Sequence, residues 1–245
     1  RRTRPRNRRT SREDPVRRSR TDLHRIEPVA RHQLVVGSGL HDATFVEDHD
    51  AVRVADRAQA VRDHERRAAT HIFSRLGAES EFHSFTMTVN GQLTRNDCVI
   101  ELTGDDAIAN VAGACVGDGD FHHDDTVFIT HDAVNCRSRQ VFKKVLKNGA
   151  VGVFQGKILV KKGAQKTDGY QISQALLLDD DSQFLAKPEL EIYADDVKCS
   201  HGSTSGAIDD TALFYLRSRG VPLRAAQSLL ILAFLADTIA EIEDE

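Results

Sequence analysis

The stretch 151–161, VGVFQGKILVK, places β-branched and aromatic residues in short apolar runs with polar and glycine-containing surroundings. Similar runs recur between residues 81 and 208, at 85–89 (FTMTV), 98–102 (CVIEL) and 126–130 (TVFIT). Such runs are typical of β-strands, and polar, Gly-containing or Asp-rich turns separate them. No helix of ordinary length interrupts most of this region, which disfavours alternating strand and helix units. The pattern predicts an all-β region that is a sandwich, a barrel or a β-solenoid.

The N-terminal part has a weaker pattern. Residues 34–36 and 44–46 are short apolar runs, and Gly37 and Gly39 provide a turn between them, so two short strands are predicted. Residues 51–75 lack Gly and Pro and are rich in Ala and Arg, with apolar residues at roughly helical spacing. The Val-Arg-Val alternation in this segment equally fits a strand, so helix and strand both stay open.

The C-terminal part changes to helical periodicity. Asp209 or Asp210 can N-cap a helix through residues 211–219, TALFYLRSR, and Gly220 suits the C′ position after it. Pro222 suits the first turn of a second helix. That helix carries an apolar stripe that needs a partner surface, formed by Leu223, Ala226, Leu230, Ala233 and Phe234 and widened by Leu229, Ile231 and Leu235.

Charge is distributed unevenly along the chain. Residues 1–20 hold ten Arg against one Glu and one Asp, a charge of +8, and the whole chain carries −4, so the rest carries −12. The arm has no apolar core, which argues against a secretory signal, and its low hydrophobicity predicts disorder. The predicted division of the chain is a basic disordered arm at 1–20, a mixed segment starting the β region at 21–80, a β core at 81–208 and a helical segment at 209–245.

Other composition features bound the class of protein. No run of eighteen apolar residues exists, so no membrane span is predicted. The four cysteines, Cys98, Cys115, Cys136 and Cys199, contain no Cys-x-x-Cys pair, which disfavours a zinc ribbon or a dense disulfide framework and fits a reducing cytoplasm. Their separations of 17, 21 and 63 residues also allow a buried cysteine ladder in a wide β-solenoid.

One long C-terminal stretch resembles a known family. Residues 195–222, DDVKCSHGSTSGAIDDTALFYLRSRGVP, are similar to the signature of the SufB/SufD family, and the Cys-x-His-Gly start is similar to its SufD branch. The resemblance continues upstream through 95–102 (RNDCVIEL), 131–146 (HDAVNCRSRQVFKKVL), 149–171 and 175–199, in the order that the family uses. Lys143-Lys144 stands where the family pattern has Lys-Gly, which predicts an altered turn.

The resemblance implies a fold and a function. It implies a right-handed parallel β-helix with a C-terminal helical segment, mainly β overall, and a non-catalytic scaffold subunit for iron-sulfur cluster assembly. It also implies pairing with a SufB-like subunit or with a second copy, docking of a SufC-like ATPase, and a transient iron-sulfur cluster shared with the partner. A flavin in the assembled complex is a further possible cofactor.

The same resemblance singles out site residues. His201 occupies the family's histidine position and could ligate iron beside a partner cysteine, because a neutral imidazole is a metal ligand. Its alternative role is to cap a turn near Gly202 or the following helix. Cys199 shares a strand face with His201 and could add a softer ligand, or could face the core. The residues implied in SufC docking are Phe214, Tyr215, Leu216, Arg217 and Arg219, in a segment that could instead close the end of the β-helix.

Two other features have weaker functional interpretations. Residues 122–125, His-His-Asp-Asp, contain metal-ligand types, but consecutive residues do not readily converge on one ion, so a solvated turn is predicted. His131 and Cys136 are predicted to stack within strands. The run at 156–166, GKILVKKGAQK, lacks the spacing of a phosphate-binding loop, so ATP hydrolysis is expected to come from a partner.

Two other functions compete with a scaffold. A β-solenoid enzyme acting on polysaccharide would need clustered carboxylates near a groove, and Asp179, Asp180 and Asp181 fit a turn better. A nucleic-acid-binding protein could use the arginine arm, with strongly salt-dependent affinity, but this function is the less favoured interpretation of the arm.

Overall fold

A computed structural model describes residues 67–89 and 91–240 in full, together with the backbone of three strands between residues 33 and 61. The basic arm and the Gly37–Gly39 turn lie outside the described residues. Strands dominate the chain as far as Gly206, and two helices follow. The expected all-β region with a C-terminal helical segment is therefore confirmed. None of the helices in the described part combines the length and apolarity needed to cross a bilayer.

The strands form two parallel sheets that alternate along the chain. The first sheet contains, in spatial order, β1 (Gln33–Val36), β3 (Arg57–Val61), β5 (Glu81–Val89), β7 (Ile108–Asp118), β9 (Arg137–Lys147), β11 (Asp168–Leu177) and β13 (Lys198–Gly206). The second contains β12 (Gln183–Ile192), β10 (Val151–Val160), β8 (His122–His131), β6 (Leu93–Leu102), β4 (Arg67–Leu76) and β2 (Ala43–Glu47). Each strand pairs with the strand one turn earlier and one turn later, which makes the chain a parallel β-solenoid.

Two N-terminal predictions have clear outcomes. The strands expected at 34–36 and 44–46 are present as β1 and β2. In the segment 51–75, the strand interpretation is correct and the helix interpretation is wrong, because β3 and most of β4 lie there. Both strands extend the sheets that continue through the rest of the chain, and this tertiary pairing outweighs a local preference for helix.

A repeated corner turn fixes where each strand of the first sheet begins. Glu79, Asp106, Asn135 and Lys166 all have φ between 56° and 62°, and each lies two residues before a strand of that sheet. Successive corners are hydrogen-bonded by their backbones: the Asp106 amide donates to Val134 and the Asn135 amide donates to Gln165. One left-handed residue per turn, a conformation that Asn and Asp tolerate best, therefore repeats up the solenoid.

The core is the lumen between the two sheets. In β10 buried and half-buried residues alternate strictly, as expected for a strand with one face inward. The main lumenal cluster includes Ile100, Leu102, Ile129 and Phe154, none of them more than 1% exposed. Gly113 lies opposite the ring of Phe142, where a Cβ would come within 2.6 Å of it, so this glycine makes room for an aromatic core residue.

The helical segment is a hairpin packed on the outside of the first sheet. Helix α1 (Asp210–Ser218) is N-capped by the Asp209 carboxylate, which accepts from the amides of Thr211 and Ala212. Gly220 follows it with φ 85°, the left-handed position predicted for it. Helix α2 (Leu223–Ile239) begins one residue after Pro222, which is the N-cap and not part of the first turn.

Helix α2 covers the outer face of β7 and β9. Apolar side chains of α2 pack on apolar side chains of these two strands, namely Ile231, Phe234 and Leu235 on Ala112, Ala114 and Val145. The central residues of β7 and β9 are therefore buried on both faces. Leu223, Leu229 and Ala233, expected in the buried stripe, are exposed because the buried face is centred on Leu235. Lys143 of β9 links the strand to the helix, because its ammonium donates to the Phe234 carbonyl and to the Asp237 carboxylate, both at 2.7 Å.

Candidate functional site at the last strand

The solenoid ends at β13 and β12, which are the outermost described strands of their sheets. The two edges differ in chemistry. β12 carries Pro188 and the charged residues Lys187, Glu189 and Glu191, which are features that block edge-to-edge pairing. β13, KCSHGSTSG, has neither Pro nor any charged residue after Lys198. The free edge of β13 is therefore the one suited to pairing with another strand.

His201 lies on β13 with an exposed side chain. It pairs in register with Gln171, a residue that points into the lumen, so His201 continues an inward-facing row at the point where the lumen opens. Among the described residues its ring makes no hydrogen bond or ion pair. Both ring nitrogens are thus available to an outside ligand or metal, as the sequence interpretation of this residue requires.

Cys199 lies on the same side of β13 but is half-buried. Its sulfur lies over Gly169, 3.3 Å from where a Cβ would be, and it packs against the cluster that contains Ile158 and Val160. Burial raises the pKa of the Cys199 thiol. A hydrogen bond with the Gly169 backbone lowers this pKa in part, and the nearby Asp168 carboxylate raises it. The half-buried sulfur of Cys199 is less accessible to an outside metal than the exposed ring of His201.

A shallow groove runs along the outer face beside β13. It has a volume of about 480 Å³ and is lined by Arg139, Asp168, Tyr170, Lys198, Cys199 and Ser200. Arg139 donates to Asp168 at 2.8 Å and its guanidinium lies 5.8 Å from the centre of the Tyr170 ring. The hydrogen bond from Arg139 lowers the pKa of Asp168. The one carboxylate that lines the groove is therefore already paired with a cation.

The five residues expected to dock an ATPase divide by exposure on α1. Phe214 is 73% exposed and Tyr215 is 55% exposed, and Arg217 is also on the surface. The guanidinium of Arg219 lies 4.0 Å from the centre of the Tyr215 ring, so a cation holds that ring in place. Leu216 is half-buried. None of the residues of α1 is fully buried, and its two aromatic side chains form an exposed apolar surface.

The prediction of a solvated turn at residues 122–125 is wrong. These residues begin β8, and His123, Asp124 and Asp125 are buried. The hydrogen bonding of His123 is set by its neighbours: its Nε2 lies 3.0 Å from Asp125, which can only accept, so its Nδ1 accepts from Thr94 at 2.6 Å. The described residues contain no group of metal-ligand side chains placed to hold an ion.

The buried carboxylate of Asp125 also pairs with the ammonium of Lys144 and accepts from Asn96. Burial opposes ionisation of Asp125, but His123 and Lys144 outweigh it and hold the pKa of the carboxyl well below its usual range. Burial lowers the pKa of His123, so the imidazole is neutral at neutral pH. This charged network lies inside the lumen. The sequence pattern around Lys144 does not indicate that this residue belongs to it.

The other histidine and cysteine predictions have mixed outcomes. His131 ends β8 and is buried, with Nε2 2.9 Å from the Ser138 hydroxyl. Cys136 is also buried, but it lies in the turn just before β9 and not within a strand, so the prediction is wrong for this residue. The cysteine ladder is wrong, because Cys98 pairs with Ile72 and Val127, and Cys115 pairs with Thr88 and Lys144. Burial raises the pKa of both Cys98 and Cys115 to about 12, so these thiols are unreactive.

The acidic run at 179–181 forms the predicted turn. Asp179 accepts from the amides of Asp181 and Ser182 at 3.1 and 2.9 Å, and from the Ser182 hydroxyl at 2.9 Å. These hydrogen bonds use its side chain to close the bend between β11 and β12. The Asp179 side chain therefore has a structural function in the bend, as the turn interpretation predicts.

Comparison with known proteins agrees with the geometry. Residues 30–234 match the family described as SUF system FeS cluster assembly, SufBD core domain. The Escherichia coli iron-sulfur cluster assembly protein SufD is 37% identical over 170 residues, which are 69% of this chain and 40% of that protein. Protein ABCI7 of Arabidopsis thaliana, a chloroplastic protein, is 32% identical over 70% of this chain and 37% of its own length. The Bacillus subtilis iron-sulfur cluster assembly protein SufD is 30% identical over 69% and 39%. The chain thus spans about two fifths of the length of these relatives.

Proposed function

The chain belongs to the SufBD core family of SUF-system iron-sulfur cluster assembly, and we propose that it acts there as a non-catalytic scaffold subunit. The observation that carries the proposal is the free, uncharged edge of β13, which bears the exposed His201. Pairing of this edge with a SufB-like subunit would place His201 at the junction of the two chains. A nascent cluster could then be held by His201 and by cysteines of the partner.

The chemistry at this junction depends on the histidine. An imidazole in its neutral form binds iron through one ring nitrogen. Cys199, whose half-buried sulfur packs over Gly169, would lie beside the cluster as a second and softer ligand or as a packing contact. The cluster is the cargo of this scaffold, so it is built and passed on and is not a resident cofactor.

The helical hairpin completes the proposal as a docking surface for a SufC-like ATPase. Phe214 and Tyr215 supply exposed aromatic area next to two arginines, which is a composition typical of interface hot spots. Helix α2 joins this surface to the solenoid through Lys143, Phe234 and Asp237. Movement of the hairpin during the ATPase cycle could therefore be passed to β9 and the strands beyond it.

The flavin suggested by the resemblance has no part in this proposal. The groove beside β13 offers one aromatic ring, Tyr170, and two cations, Lys198 and Arg139, of which Arg139 is already paired with Asp168. A flavin nucleotide also needs an apolar slot for its ring system, and this shallow groove does not supply one.

Replacing His201 with Ala tests the ligand role. Because the side chain is exposed, the free energy of unfolding should stay within about 0.5 kcal/mol of the wild-type value. Cluster assembly by the complex with SufB-like and SufC-like partners should fall several-fold, measured by transfer of the cluster to an apo-protein. Ser205→Ala, another exposed position on β13, is the matched control and should retain full assembly. Equal cluster transfer by the His201 variant and the control would refute the ligand role.

The docking surface is tested by the double variant Phe214→Ala, Tyr215→Ala. Loss of two exposed aromatic anchors should weaken SufC binding by about 2 kcal/mol or more, roughly 30-fold, in a titration of the complex. Tyr193→Ala provides the control, since Tyr193 is 60% exposed on the solenoid, away from the hairpin. If both variants bind the ATPase with equal affinity, the docking surface lies elsewhere.

A further inference from the structure

A row of polar side chains runs through the lumen beneath His201. Gln140 on β9 pairs with Gln171 on β11, which pairs with His201 on β13. Residues in register on neighbouring parallel strands point to the same side and are about 4.8 Å apart. A second row beside it contains Ser138, Gly169 and Cys199. Polar residues in both rows therefore lead from the interior to the open end of the solenoid.

The glutamines in this row lack protein partners. Gln140 and Gln171 are fully buried, and none of their four amide nitrogen and oxygen atoms has a hydrogen-bond partner among the described residues. They do not bond to each other, although they are adjacent. The Nδ1 atom of His131 is equally buried and unpaired. Leaving a buried polar group without a hydrogen bond destabilises the folded state, so five such atoms together are difficult to explain without another partner.

A glycine makes room for one of these amides. The Gln171 amide lies across the lumen over Gly156, in the space that a Cβ there would need. Gly169 lies between Ser138 and Cys199 in the second row, and the Cys199 sulfur and Ile158 lie over it. Buried water occupies polar sites that offer two to four hydrogen-bonding partners. The glutamine amides and His131 provide such partners.

We propose that this part of the lumen binds a chain of ordered water molecules, and that Gln171 is the positioning residue through which this chain orients His201. An imidazole that ligates a metal through one nitrogen carries its proton on the other, and that N–H needs an acceptor. Water held by Gln171 supplies the acceptor on the lumenal side of the ring. The outward nitrogen of His201 is then left unprotonated for a ligand. The importance of this orientation rests on the proposed function, but the water chain itself does not.

The test compares Gln171→Met with Gln140→Met in the full chain. Methionine has a similar length but cannot hydrogen-bond. In the wild-type protein, magnetisation transfer from long-lived water to the side-chain amides of both glutamines is expected by NMR. The ring nitrogen shifts of His201, assigned with the variant His201→Gln, should show one dominant tautomer. Gln171→Met should shift these signals toward the tautomer mixture of a free imidazole, whereas Gln140→Met should leave them unchanged.

Each alternative has its own outcome. A direct amide bond between Gln140 and Gln171 predicts no contact with water and a loss of stability in either variant, which would overturn the proposal. If Gln171→Met changes stability but not the His201 signals, the positioning role is wrong. Failure of the proposed function is recognised separately, as normal cluster transfer by His201→Ala while the water contacts and the tautomer remain.

Discussion

Replacing Lys144 with Met is expected to lower the free energy of unfolding by about 3–5 kcal/mol, the largest effect that the structure predicts for a single side chain. Lys144 is 1% exposed, and its ammonium pairs with Asp125 inside the lumen. Removing it leaves a fully buried carboxylate with His123 and Asn96 as its remaining partners. An uncompensated buried charge costs far more than the lost attraction itself.

Urea denaturation of the full chain near pH 7.5 measures this effect. Lys147→Met is a matched control on the same strand, because Lys147 pairs with Asp118 at 3.0 Å with both side chains nearly half exposed. Exposed pairs contribute about 0–1 kcal/mol, so this control should change little. Comparable stability of the two variants would show that Asp125 is not held by Lys144.

The double variant Lys144→Met, Asp125→Asn tests whether the two buried charges compensate each other. Asp125→Asn alone keeps the shape of the side chain and leaves the ammonium of Lys144 without a counter-charge, so it should also destabilise the fold strongly. Removing both charges should recover much of the loss, because two neutral groups are easier to bury than one unpaired ion. The two single effects are therefore expected to be strongly non-additive.

This network shows what the sequence could not predict. Lys144 and Asp125 are 19 residues apart and lie on different sheets, and nothing in the local pattern of either strand indicates that they meet. Lys143-Lys144, which stands where the family pattern has Lys-Gly, was expected to alter a turn. Both residues instead lie within β9 and point to opposite faces. Gly152 gives the inward lysine its space, since a Cβ there would come within 2.7 Å of the Lys144 side chain.

Local features were predictable for a physical reason. Short runs of β-branched and aromatic residues mark a strand such as β10 without knowledge of its neighbours, and the Asp209 cap and Gly220 mark the ends of α1 in the same way. The residues that stack depend instead on the length of each turn. That length varies, since Arg67 pairs with Leu93 in one turn and Val151 with Gln183 in another. The cysteine ladder failed for this reason, and the row of Gln140 and Gln171 could not be foreseen.

His131 is expected to account for much of the loss of stability between pH 6.5 and pH 4. Burial lowers the pKa of His131 from its usual 6.5 to about 4, against a smaller opposing effect of Asp168. The unfolded chain therefore takes up the proton first as the pH falls, and its uptake favours unfolding. The contribution of His131 to the free energy of unfolding is complete above pH 6.5 and is lost progressively as the pH falls. At pH 4 the loss amounts to about 3 kcal/mol.

The variant His131→Gln tests this by keeping a polar group beside Ser138 while removing the titration. Its unfolding free energy, measured by urea denaturation at pH 7 and pH 4.5, should fall less than that of the wild-type chain. The difference should be about 2.4 kcal/mol between these two pH values, and the contribution of His123 cancels because both chains contain it. The same substitution at His71, whose side chain is 59% exposed, should follow the wild-type pH dependence. An acid sensitivity of His131→Gln equal to the wild type would mean that His131 is protonated within the fold, with water in the lumen able to solvate the charge.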